Sequence, residues 1–152
     1  MLRKNRRAFT LIELIFVILI IGILTAVAVP RFTATSVLAY TSKAGSELAA
    51  VRSALMTERQ KRILRGDTDP IDSLAKDTIF DYFSDDAAGN AGAEILQYPP
   101  TPCSDDVTTG CWSNDGTSYT YFFADEGDAK FKLENSKLIC DEDAADCKQL
   151  EK

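Results

Sequence analysis

Residues 9–29 read FTLIELIFVILIIGILTAVAV, 21 residues with a single charge, Glu13. At about 1.5 Å per residue a helix of that length is about 31 Å long, enough to cross a hydrocarbon core of about 30 Å. The stretch therefore predicts a membrane-spanning helix. Arg3, Lys4, Arg6 and Arg7 precede it without an acid, and Arg31 is the only cation between its end and Lys43. By the positive-inside rule, residues 1–8 are cytoplasmic and the chain beyond Pro30 lies outside.

The charge of the remaining chain changes sign along its length. Residues 9–65 carry seven basic groups against three acids, whereas residues 66–152 carry six against twenty, within a net charge of −6. An acidic distal part repels phosphate backbones, which argues against nucleic acid as a partner. The chain contains no histidine, which excludes imidazole general bases and imidazole metal ligands. It also lacks a Walker loop, GxGxxG and GxSxG, so no catalytic residue is expected and the protein is not read as an enzyme. With 152 residues it has room for one small domain and an extension.

Three readings compete for the N-terminal segment. In a secretory signal, Ala26-Val27-Ala28 would be the cleavage site and the mature chain would start at Val29. A plain anchor would keep Met1. Neither gains from Glu13, a carboxylate in an apolar run where burial at the membrane centre costs roughly 2.5 kcal/mol or more, so the acid needs a partner. The order Arg6-Arg7-Ala8-Phe9-Thr10-Leu11-Ile12-Glu13-Leu14, followed by the apolar run, Gly22 and Pro30, resembles the class III signal of type IV pilins and pseudopilins over residues 3–32. In that family a prepilin peptidase cuts before the Phe and methylates the new amine. The resemblance thus implies cleavage between Ala8 and Phe9, with Ala8 standing where the family usually has Gly, and N-methylation of Phe9.

A freed Phe9 amine would lie four residues from Glu13 near the positive end of the helix dipole, which allows a pair within one chain. The resemblance implies instead a pair between Glu13 and the amine of a neighbouring subunit. Gly22, about 1 kcal/mol worse than Ala inside a helix, and Pro30, which removes the hydrogen bond to the Ala26 carbonyl, mark a weak stretch. That stretch is either a kink at the membrane exit or, as the resemblance implies, a segment able to unwind in a filament.

Beyond Pro30, helical spacing continues through Val37, Ala44, Leu48, Val51 and Leu55, and Arg59, Lys61, Arg62, Arg65 and Gly66 form a stop signal. One long helix is expected over residues 9–65. Asp69, Pro70, Ile71, Leu74, Ile79 and Phe83 predict a second, short helix within residues 67–84. Residues 85–118 read as an irregular connection with one strand near Ile95 to Tyr98. Strands at 119–123, 130–133 and 138–140 form an antiparallel meander. The expected fold class is α+β, a long N-terminal helix on a small antiparallel sheet, as the resemblance also implies. Its parts are a leader of residues 1–8, a span of 9–30, an amphipathic half of 31–65 and an acidic head of 66–152.

Cys103, Cys111, Cys140 and Cys147 all fall in the exported part and read as two disulfides. Three pairings are open. Short polar loops favour Cys103 with Cys111 and Cys140 with Cys147, each closure contributing roughly 2.5 kcal/mol. Zinc and redox readings lack the CxxC spacing. The acids Asp125, Glu126 and Asp128, and Asp141, Glu142, Asp143 and Asp146, raise calcium as a ligand. Neither group has the EF-hand order, so solvated turns are expected, with no metal and no cofactor.

The expected function is that of a structural subunit of a type IV pilus-like filament. A type II secretion pseudopilin comes first because the head is small, with a type IV pilus pilin or a DNA-uptake pseudopilin as alternatives. A secreted or membrane-anchored binding protein is the alternative of another class. The implied partners are copies of itself or related pilins, prepilin peptidase, an inner-membrane assembly platform and the lipid bilayer. The implied location is the inner membrane with a periplasmic head, then the filament. N-terminal mass spectrometry of membrane-extracted protein should find a methylated Phe9 start; Val29 would favour the secretory signal and Met1 the anchor.

Overall fold

The computed structural model describes residues 9–124, 127–141 and 147–151. The leader, including Ala8, and the acids Asp125, Glu126, Glu142, Asp143 and Asp146 lie outside the described residues. The chain divides into two compact units, one ending at Ser36 and the other starting at Val37. Helix α1 (Leu11–Leu64) contributes to both.

In the first unit, every side chain from Phe9 to Val29 is exposed, and Leu11–Val29 is long and apolar enough to cross a membrane. A helix apolar on all sides and covered on none calls for a non-aqueous surrounding. The backbone stays helical through Gly22 and Pro30. The Thr25 hydroxyl donates to the carbonyls of Ile21 (2.9 Å) and Gly22 (3.0 Å), a back-bond of the kind that bends helices locally.

In the second unit, Ala44, Leu48, Val51 and Leu55 are buried along one stripe of α1. The same spacing then reaches two charged residues, Glu58 at 5% exposure and Arg62 at 2%. They pair with each other at 3.3 Å, and the Arg62 guanidinium also donates to the carbonyls of Ser84 and Asp85. A buried charge pair is tolerable when hydrogen bonds satisfy its remaining donors, as they do here. The helix then ends in a Schellman arrangement. Gly66, at φ +86°, donates to the Ile63 carbonyl, and Asp67 donates to that of Arg62.

Four strands follow: β1 (Cys111–Asn114), β2 (Ser118–Phe122), β3 (Asp128–Glu134) and β4 (Lys137–Cys140). They form an antiparallel meander in the order β1-β2-β3-β4. Asn135 and Ser136, both at positive φ, make the tight β3–β4 turn whose twist matches the strands. The register sets Trp112 opposite Tyr121, Tyr119 opposite Phe131 and Leu133 opposite Leu138. Trp112, Tyr119, Tyr121, Phe131 and Leu138 join the helix stripe in one core. The Trp112 indole N–H donates to the Glu47 carboxylate at 2.9 Å, fixing β1 to α1. The Tyr121 hydroxyl donates to the Tyr40 carbonyl at 3.1 Å. Burial, together with the negative Glu47, pushes the Tyr121 phenol up to about 12, so it stays a donor. A short helix, α2 (Cys147–Leu150), buries Cys147 and Leu150.

The expected helix within residues 67–84 is absent. Ile71, Leu74, Ile79 and Phe83 are buried, as their spacing suggested, but their backbone is irregular because other side chains take its hydrogen bonds. Ser136 and Tyr119 hydroxyls accept the N–H groups of Ile71 and Leu74, both at 2.8 Å. Arg59 donates to the Thr68 and Asp69 carbonyls. Asp81 accepts four backbone N–H groups, those of Lys76, Asp77, Thr78 and Tyr82, at 2.7 to 2.8 Å. Phe80, buried at φ +56°, stacks on Tyr119 at 5.2 Å and meets Trp112 edge-on at 5.1 Å. That φ costs a bulky residue about 1–3 kcal/mol, which ring burial offsets. The strand near Ile95 to Tyr98 is also absent. Glu94 makes only a single bridge with Tyr82, and Gly92 beside it leaves no room for a Cβ against the Phe83 carbonyl oxygen. Conversely β1, inside the expected irregular connection, is a strand: Cys103 and Thr101 hydrogen-bond to Trp112 along its outer edge.

Burial raises the Asp81 carboxyl, and its four N–H donors more than offset this, holding it below the ordinary value. A depressed folded value means its stabilisation is complete above about pH 4 and is lost as pH falls through the folded value. In urea titrations of the full chain in detergent, Asp81→Asn should be less stable at pH 7 by about 1–3 kcal/mol. The deficit should narrow below pH 4; a constant deficit would dismiss the ionised role.

Candidate assembly segment

The helix begins at Leu11 because Thr10 caps it. The Thr10 hydroxyl accepts the Glu13 N–H at 3.3 Å and the Thr10 carbonyl accepts the Leu14 N–H at 3.2 Å. Thr10-Leu11-Ile12-Glu13 has the S/T-x-x-E spacing of a capping box, and Phe9 and Leu14 stand at the positions of a hydrophobic staple. That signal is readable in the sequence from the Thr10–Glu13 spacing alone. Phe9 precedes the cap and is exposed outside the helix.

Glu13 is the lone acid of the apolar segment, and its exposed carboxylate has no ionic partner among the described residues. Gly22 has nothing within 4 Å of where a Cβ would stand. Pro30 lies within α1. Together Phe9, Glu13 and Gly22 present an uncovered apolar rod with one carboxylate near its start, a surface suited to lipid or to like helices rather than to catalysis.

The other singled-out residues belong to the second unit. Cys103 is bonded to Cys111 and Cys140 to Cys147. The first bridge ties residues 101–103 along the outer edge of β1, and the second joins β4 to α2. Among the described residues no group of His, Cys, Asp or Glu is arranged to hold a metal. Asp128 opens β3, and Asp141 pairs with Lys132 at 2.8 Å. Asp115, in the β1–β2 turn, is held well below the carboxylate range by the Ser118 hydroxyl and by Thr117. Asp115 is a turn acid bonded to its own loop, and Asp141 is tied to β3 through Lys132.

Residues 3–29 match the family described as Prokaryotic N-terminal methylation motif. The chain is 38% identical to a Fimbrial protein of Pseudomonas aeruginosa over 78 residues, 51% of this chain and 48% of the relative. It is 54% identical to the Type IV narrow pilus major component PilA5 of Thermus thermophilus over 48 residues, 32% of this chain and 41% of the relative. The chain thus spans about half the length, or less, of these curated relatives. No solved structure matches it significantly. The matched motif thus reaches into the helix that the fold leaves uncovered, and the chain carries a prokaryotic N-terminal methylation motif and is similar, over part of its length, to the two proteins named.

Proposed function

We propose that prepilin peptidase cuts this protein between Ala8 and Phe9 and methylates Phe9. Helix α1 then holds the subunit in the inner membrane, with the chain beyond Pro30 in the periplasm, until an assembly platform moves it into a filament of like subunits. The observation that carries this reading is the solitary Glu13 carboxylate in an exposed apolar helix. An acid so placed needs a counter-charge when water is removed. Thr10 caps the helix after Phe9, so Phe9 is not on a helical face with Glu13, which favours the Phe9 amine of a neighbouring copy as the partner.

The two named relatives are pilus subunits, which supports a type IV pilus as the machine. The small acidic head keeps the type II secretion pseudopilin as the second reading. Labelling with an antibody to the head separates them: decorated surface fibres support the pilus, whereas bare cells whose deletion mutant loses exoprotein release support the secretion filament.

Glu13→Leu removes the carboxylate and leaves the apolar span intact. Membrane level and the Phe9 start should persist, while the sheared filament fraction falls about tenfold or more, because the incoming amine is left unpaired. An unchanged filament fraction would remove Glu13 from assembly.

A further inference from the structure

Glu13 is followed by seventeen residues without a charge, then by Arg31 and Phe32. The apolar span ends at Val29, so Arg31 and Phe32 come two and three residues beyond its last position. Phe32 is 78% exposed, and Arg31 is exposed with no acidic partner among the described residues. We propose that Arg31 and Phe32 form a bilayer anchor. The Arg31 guanidinium binds lipid phosphates at the rim next to Val29, and the Phe32 ring seats at the boundary between headgroups and acyl chains. This rests on reading the first part of α1 as a membrane span.

The chemistry and the spacing both select lipid. A guanidinium presents a planar fork of donors that matches phosphate oxygens, and it is weakly enough hydrated to work at an interface. Aromatic rings and long cationic side chains at helix ends are the usual interfacial anchors. The next cation in the sequence, Lys43, comes twelve residues later, in the second unit, and is already paired with Glu47 at 3.5 Å. Arg31 is therefore the charge that sets depth at this rim.

Glu13 and Arg31 are eighteen residues apart, five whole helical turns, so they share one face about 27 Å apart. A hydrocarbon core is about 30 Å thick. With Arg31 held at the phosphates of one rim, Glu13 falls just inside the opposite rim, where a carboxylate is tolerated better than at mid-membrane. The anchor thereby positions Glu13 as well as the span. Loss of Arg31 frees the helix to slide.

The test uses the full chain, isotopically labelled, in bicelles of phosphatidylcholine and phosphatidylglycerol with a nitroxide on the lipid headgroup. Amide broadening in the wild type should peak at residues 31–32 and again near the start of α1. In Arg31→Gln and in Phe32→Ser the peaks should move by about one turn, and Arg31→Lys should restore them only in part, because an ammonium keeps the charge and lacks the fork. Unmoved peaks in Arg31→Gln would overturn the proposal. So would equal shifts at Arg31 on adding inorganic phosphate to the chain in maltoside micelles, since the site would then take a soluble anion. Water-exposed amides throughout Leu11–Val29 would overturn the membrane reading itself.

Discussion

The second unit depends on one packing interaction, the contact of a narrow apolar stripe of α1 with an aromatic sheet face. Ala44, Leu48, Val51 and Leu55 supply the stripe, and Trp112, Tyr119, Tyr121 and Phe131 supply the face. Together with Phe80 from the preceding loop, these rings meet at 5.1 to 6.0 Å in tilted, stacked and edge-on pairs, geometries that add to simple burial. Small and aliphatic side chains on the helix give these rings room. The Glu47 bond to the Trp112 indole sets where β1 lies against α1. Arg52 adds a second tie, donating to the Leu138 carbonyl at 3.1 Å and lying over the Phe131 ring.

A sheet of four short strands leaves much of the head without regular hydrogen bonding, and side chains fill that role between residues 66 and 95. Asp81, Arg62, Arg59, Ser136 and Tyr119 each satisfy backbone groups that a helix would have paired internally. An unpaired buried backbone group is costly, so each such side chain fixes the path of the loop around it. Two disulfides tie the outer strands to their flanking segments, one holding residue 103 to β1 and one joining β4 to α2.

The first unit follows the opposite rule. Its helix satisfies its own backbone, which is the condition for living in lipid, and leaves the side chains of residues 9–29 uncovered. The two charged residues among its described residues, Glu13 and Arg31, stand near its ends on a common face. A span so built suits a bilayer, and in the assembly proposed above the acid would draw it out when a counter-charge is offered. Thr10 fixes where that helix begins and hence how far Phe9 stands from Glu13.

The sequence by itself determined the elements whose signals are local and periodic. These are the apolar span, the motif around Phe9 and Glu13, the stripe from Ala44 to Leu55, the Gly66 stop and three of the four strands. Each follows from chain geometry that no distant contact overrides. Tertiary structure decided residues 67–84, where helical spacing marked the buried residues correctly but distant hydroxyls, guanidinium groups and the Asp81 carboxylate outbid the helix for its hydrogen bonds. It also decided β1, whose Cys-Trp-Ser-Asn sequence has little strand character until Tyr121 and the 101–103 segment pair with it on either side. Glu58 and Arg62 belong to the same class: the periodicity that buried Leu55 reached them too, and only a folded loop with carbonyls in reach of Arg62 made their burial tolerable.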